Sequence, residues 1–138
     1  MVAKANRHNK YYALKVLAPG RIENDLSLEG DILSHLNHPG IPRCVEAFSH
    51  DGVDYLVQEF IDGFPLSYYI VRGKLFTERE ARNILSQLLE ILVYLHEPEG
   101  TRRAVIHRDI RLSNLFWFAE KVYLVDFGLA RYYDSKID

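Results

Sequence analysis

The spacing that most constrains this chain separates two polar residues in its C-terminal half. Asn114 and Asp126 stand twelve residues apart, and two apolar, strand-favouring runs lie between them, 115–119 and 122–125, joined by polar Glu120-Lys121. Two short strands and a turn make a hairpin, which carries both residues back to the same end. Asn114 and Asp126 then become hard oxygen donors of the kind Mg²⁺ takes, within reach of one ion. Asp109 lies five residues before Asn114, in His107-Arg108-Asp109-Ile110-Arg111-Leu112-Ser113-Asn114, and is placed to accept a proton from a hydroxyl. The blander reading is that Asp109 and Asn114 cap turns and that Asp126-Phe127-Gly128 ends a strand, since Asp and Gly are ordinary turn residues.

The N-terminal half reads as strands around one helix. Residues 11–17 are rich in strand formers between Asn9-Lys10 and Pro19-Gly20. Alternation sets Ala13 and Lys15 on one face and Tyr12, Leu14 and Val16 on the other. Ala13 leaves room for a flat ligand and Lys15 can reach onward to phosphate; alone, the stretch equally suits an edge strand with its Lys in solvent. Asn24 or Asp25 can cap a helix running to about Asn37, with Leu28, Ile32, Leu33 and Leu36 inward. Residues 41–49 and 53–60 read as strands joined at His50-Asp51-Gly52, Asp-Gly being a strong hairpin signal.

Thr77-Glu78-Arg79-Glu80 is a capping-box pattern, and the helix it opens extends to about His96. Ala81, Ile84, Leu85, Leu88, Leu89, Leu92, Val93 and Leu95 recur on it at helical spacing, as a core-facing side does. Residues 98–103 form a polar turn with Arg102 and Arg103 in solvent. Tyr132, Tyr133 and Ser135 read as exposed tail residues.

Composition removes several function classes. A length of 138 residues suits one domain with a real core, and a net charge of −2 gives no polycationic face for nucleic acid or an anionic membrane. A single cysteine, Cys44, excludes an internal disulfide. No apolar run approaches the ~20 residues that span a bilayer, the first ten residues lack a signal-peptide core, and the cytoplasm is the expected compartment. The six histidines have no zinc spacing.

Taken together, His107-Arg108-Asp109 with Asn114 and Asp126-Phe127-Gly128 resemble the catalytic and metal loops of serine/threonine protein kinases, and Ala13-Leu14-Lys15 resembles their Val-Ala-Ile-Lys strand. The resemblance spans nearly the whole chain. It implies an α+β kinase-like fold, with a β-rich small lobe at 1–61 and the first part of a helical large lobe at 62–138. It implies ATP and Mg²⁺ as ligands. Asp109 would be the base, Lys15 the α/β-phosphate ligand and Glu29 its partner on the helix; Asn114 and Asp126 would hold Mg²⁺. Arg111 stands where such kinases carry a Lys near the transferred phosphate, and differs in length and fork. Gln58 corresponds to the gatekeeper, the Glu59 carbonyl and Ile61 amide to the hinge groups facing adenine, and Val2, Ala13 and Phe116 to apolar contacts of the adenine.

The same comparison expects truncation at both ends. No Gly-x-Gly-x-x-Gly precedes Lys15, and the chain stops twelve residues after Asp126, before an Ala-Pro-Glu. The underside of helix 78–96 would then stand exposed, open to a protein partner or to self-association. Three functions compete: phosphoryl transfer to a protein Ser/Thr hydroxyl, weakened or lost through truncation; nucleotide binding by a pseudokinase, regulatory module or inert fragment; and transfer to a small molecule, against which Arg108 and Asp126-Phe127-Gly128-Leu129-Ala130-Arg131 stand. A protein substrate or regulatory protein is the expected partner, with no nucleic acid and no membrane.

Overall fold

The computed structural model of the chain describes residues 2–17 and 26–134. Its N-terminal part is a four-stranded antiparallel sheet carrying one helix. Strands β1 (Val2–Arg7), β2 (Lys10–Leu17), β3 (Cys44–His50) and β4 (Val53–Glu59) lie in the order β1-β2-β4-β3. Register sets Ala13 opposite Gln58 and Lys15 opposite Leu56. Both hairpins turn on two residues at positive φ, His8 (52°) with Asn9 (62°) and Asp51 (50°) with Gly52 (74°). That is the turn whose twist matches paired strands. The expected strand at 41–49 begins later, at Cys44, because Pro42 interrupts it; Pro has no N–H for a ladder.

Helix α1 (Leu26–Ser34) packs on this sheet through Ile32 and Leu33, both buried, and through Gly30. A Cβ built on Gly30 would meet the Ala47 Cβ at 3.3 Å, so the glycine lets helix and sheet approach closely. The helix ends at Ser34 rather than near Asn37. The amides of His35 and Leu36 already make tighter bonds, to the Ile32 and Leu33 carbonyls, ahead of Pro39. The expected caps Asn24 and Asp25 lie outside the described residues.

The C-terminal part is helical with short strands. Strand β5 (Phe64–Pro65) runs into α2 (Leu66–Val71), which closes at Gly73, where φ is +83° and only glycine is unstrained. The Gly73 and Lys74 amides bond to the Ile70 and Tyr69 carbonyls in a Schellman pattern. Helix α3 (Glu78–His96) opens with the expected capping box, Thr77 accepting from the Glu80 amide and Glu80 from the Thr77 amide, each at 3.1 Å. Ile91 and Leu95 are fully buried, whereas Leu85, Leu89 and Val93 form an exposed stripe at four-residue spacing, in line with the open underside that the resemblance implies rather than with the core side that periodicity alone implies.

Strand β6 (Ala104–Ile106) precedes a 3₁₀ turn (Leu112–Asn114) and the hairpin β7 (Leu115–Phe118) and β8 (Lys121–Leu124); β9 (Arg131–Tyr133) pairs with β6. The hairpin turns one residue earlier than expected, at Ala119-Glu120, with both φ positive (48° and 62°). Neither residue favours that conformation. Gln87 of α3 supplies the compensation: its amide donates to the Glu120 carbonyl (2.8 Å) and accepts from the Val122 amide (2.9 Å). Two further expectations fail nearby. Arg102 is tucked against Tyr94, donating to its carbonyl and lying over its ring, because the Glu99–Arg102 bridge folds the turn back. Tyr132, on β9, is half-buried rather than exposed; Tyr133 on the same strand is exposed, as expected, and Ser135 lies outside the described residues.

Candidate active site

The N-terminal sheet and the C-terminal strands meet at a cavity of about 310 Å³ lined by Ala13, Lys15, Gln58, Glu59, Ile61, Asn114, Phe116 and Asp126. It brings Lys15 and Asp126, which lie 111 residues apart in sequence, onto one wall together with Asn114. Ala13 and Lys15 share its wall because they share one face of β2, as strand alternation dictates. Pro42, Phe60, Ser113 and Val125 also line it. Phe60 and Ser113 sit inside stretches already singled out by sequence; nothing in the sequence marks Pro42. The backbone of Val2 pairs with Lys15 across β1 and β2, but its side chain lies outside the described residues.

At the inner end of the cavity Lys15 gathers two carboxylates. Its Nζ lies 3.0 and 2.9 Å from the two Glu29 oxygens and 2.9 Å from Asp126 Oδ1. Burial alone would weaken the Lys15 ammonium, but the charge of Glu29, reinforced by Asp126, outweighs it and holds the pKa above the ordinary lysine value. Burial raises the Glu29 carboxyl, only 1% exposed, against the pull of Lys15 and of the Phe127 amide. Burial also works against Asp126, yet its bond to Lys15 and the Lys15 charge bring it below the usual carboxylate range. Gly128 makes room for this group: a Cβ there would come within 3.0 Å of Asp126 Oδ1 and 3.1 Å of Lys15 Nζ. A side chain at this position would press on the ends of both groups, which would have to give by a few tenths of an ångström.

Asp109 and Asn114 form a second unit. The Asn114 amide nitrogen donates to the Asp109 carbonyl (2.9 Å) and carboxylate (3.0 Å), which turns its amide oxygen the other way. The Val125 amide donates to the Asn114 carbonyl at 3.0 Å, so the hairpin does return Asn114 to the side of Asp126. Arg111, largely exposed, sets its Nε 3.4 Å from Asp109 Oδ1. His107 underlies the loop. Its Nδ1 accepts from the Asp109 amide (3.2 Å), so its proton sits on Nε2, which donates to the Val125 carbonyl (2.9 Å). Burial of this ring lowers its pKa, against the pull of the Val125 carbonyl. Arg108 and Asp126 both hold positive φ (70° and 58°), conformations that cost a non-glycine residue energy and cluster at functional sites.

The donor set suits a hard cation. Asp126 and Asn114 offer carboxylate and amide oxygens, and no group of three or more His, Cys, Asp or Glu is gathered for a metal among the described residues. Two protein oxygens with phosphate and water completing the shell is how Mg²⁺ is usually held beside a nucleotide.

Comparison with known proteins follows the same line. The family described as "Protein kinase domain" matches residues 1–138. A probable serine/threonine-protein kinase of Bacillus subtilis, YbdM, is 36% identical over 126 residues, covering 87% of this chain and 47% of that protein. Serine/threonine-protein kinase cds1 of Schizosaccharomyces pombe is 31% identical over 132 residues (88% and 28%). Serine/threonine-protein kinase B of Synechocystis is 37% identical over 97 residues (69% and 16%). The chain spans less than half the length of each of these relatives.

Proposed function

The chain belongs to the protein kinase domain family, and from that membership we propose that it binds Mg·ATP and transfers the γ-phosphate to a Ser or Thr hydroxyl of a protein. The observation that carries this reading is the Lys15 ammonium joined to Glu29 and Asp126 beside a cavity of about 310 Å³ that Lys15 and Asp126 both line. In this reading adenine lies between Ala13 and Phe116, beside Gln58, with the Glu59 carbonyl and Ile61 amide on its edge.

Lys15 moves within reach of the α- and β-phosphate oxygens while Glu29 keeps it from swinging away. Asn114 and Asp126 would hold Mg²⁺, which supplies neutralisation of the phosphate oxygens as charge shifts in transfer. Asp109 takes the proton of the incoming hydroxyl, its carboxylate aimed by the Asn114 amide. Arg111 stands beside Asp109 with charge available to the departing phosphoryl group. The acceptor is a protein side chain in keeping with the serine/threonine-protein kinases it resembles.

The test is a thermal melt with and without Mg·ATP, run beside Asp126→Asn, followed by radiolabel transfer to a generic basic protein beside Asp109→Asn. A melting point raised by Mg·ATP in the wild type alone, with transfer lost in Asp109→Asn, is the expected result. Mg·ATP stabilisation without transfer would replace this reading with a nucleotide-binding module. No response to Mg·ATP would remove both.

A further inference from the structure

Two residues beyond Glu29 on α1, the Asp31 carboxylate accepts a 2.7 Å hydrogen bond from the Tyr132 hydroxyl, across 101 residues of sequence. Tyr132 is firmly placed. Its backbone pairs with Val105 in the β6–β9 ladder, its ring packs on the core, and the Arg103 guanidinium lies 4.2 Å from the ring centroid. That ladder runs directly into both loops of the site, since β6 leads to His107 and Asp109 while β9 follows Asp126 and Gly128. Residues two apart on a helix point about 200° from each other. Glu29 and Asp31 therefore face opposite flanks, Glu29 toward Lys15 and the Phe127 amide, Asp31 toward Tyr132. Between them Gly30 seats the helix closely on Ala47, and Ile32 and Leu33 beyond it are buried in the core.

From this arrangement we infer that Tyr132, with Asp31, is a positioning pair that fixes the rotation of α1 and so holds Glu29 on Lys15. Rolling α1 about its axis is the motion that would lift Glu29 from Lys15, and the Tyr132–Asp31 bond resists it from the far flank. His35 also reaches this contact, its Nδ1 3.4 Å from the Tyr132 oxygen and 3.9 Å from Asp31 Oδ1. The consequence for nucleotide rests on the proposed reading of Lys15 as a phosphate ligand; the consequence for the Lys15–Glu29 pair does not.

The experiment separates the two. Tyr132→Phe removes only the hydroxyl and keeps the ring beneath Arg103; Asp31→Asn, on the exposed flank, is the second variant should the first not fold. The readout is lysine side-chain NMR of Lys15, assigned with Lys15→Arg, together with the Mg·ATP dissociation constant. We expect each variant to melt within a few degrees of wild type, to shift and broaden the Lys15 signal, and to weaken Mg·ATP by about fivefold to tenfold, the usual scale of such coupling. The double variant should add nothing to either single one. An unmoved Lys15 signal, or fully additive effects, overturns the inference. A moved Lys15 signal in a protein that never binds Mg·ATP upholds the positioning pair and sinks the nucleotide reading. Equal Mg·ATP binding by wild type and variants with an unmoved Lys15 signal does the reverse.

Discussion

Replacing Lys15 with Met should cost this protein about 3 kcal/mol of stability, and the cost should grow with pH. The substitution strands Glu29, which is 1% exposed, while Lys15 itself is 14% exposed. Breaking a buried ion pair by removing one partner costs about 3–5 kcal/mol. The Phe127 amide still serves Glu29, which places the effect at the low end. For a chain of this size that is a fall in melting point of roughly 10 °C. Without Lys15, burial leaves the folded pKa of Glu29 raised above its unfolded value. A group of that kind contributes stability that is present below the unfolded pKa and lost as pH rises through the folded one. The deficit of Lys15→Met relative to wild type should therefore widen between pH 5 and pH 8. Lys15→Met/Glu29→Met replaces the pair with apolar groups and should recover most of the loss. Urea titrations of all three proteins at several pH values measure this directly. A single variant within about 0.5 kcal/mol of wild type at pH 7.5, or a double variant weaker than the single, would refute the account of the pair as a buried one.

Three other perturbations follow from the geometry. Gln87→Ala strips both hydrogen bonds from the strained Ala119-Glu120 turn and should cost about 1–2 kcal/mol in urea denaturation, much of it regained by Ala119→Asn/Glu120→Gly, residues that favour that turn. Gly128→Ala crowds the ends of Lys15 and Asp126 and should reduce the Mg·ATP-dependent rise in melting point while leaving the ligand-free melt within a few degrees of wild type; an undiminished rise would show that the two side chains give way without cost. His107 is buried neutral with a lowered pKa, so its share of stability is full above the unfolded value of 6.5 and is lost as pH falls through the folded one. Denaturation midpoints should drop between pH 7 and pH 5, and His107→Gln should flatten that slope.

Local signals in this sequence were readable where the stabilising partner is itself local. Thr77 and Glu80 cap each other three residues apart, and Asp51-Gly52 carries its own turn preference, so both features stand where sequence reasoning places them. The Ala119-Glu120 turn was displaced by one residue because the group that holds it, Gln87, is more than thirty residues away on another element. The apolar run of α3 overstated its core for a related reason. Periodicity identifies a side that could be buried, and the uncovered stripe of Leu85, Leu89 and Val93 agrees instead with the open underside that the resemblance implies. In the site, the hairpin that returns Asn114 toward Asp126 followed from spacing alone. The contact of Lys15 with Glu29 was suggested only by resemblance, and the Tyr132–Asp31 bond by nothing in the sequence, since no local pattern links residues 101 apart.

Lys15 also sets an order of events during folding. Its two carboxylate partners lie 14 and 111 residues away along the chain. That is about three doublings of loop length, or roughly 2 kcal/mol more closure entropy for the second contact than for the first. The sheet and α1 can bring Lys15 and Glu29 together early, but the bond to Asp126 waits until β7 and β8 have been made and docked. During synthesis Glu29 therefore becomes available to the ammonium long before Asp126 does. Most of the 138 residues must be synthesised before the site closes.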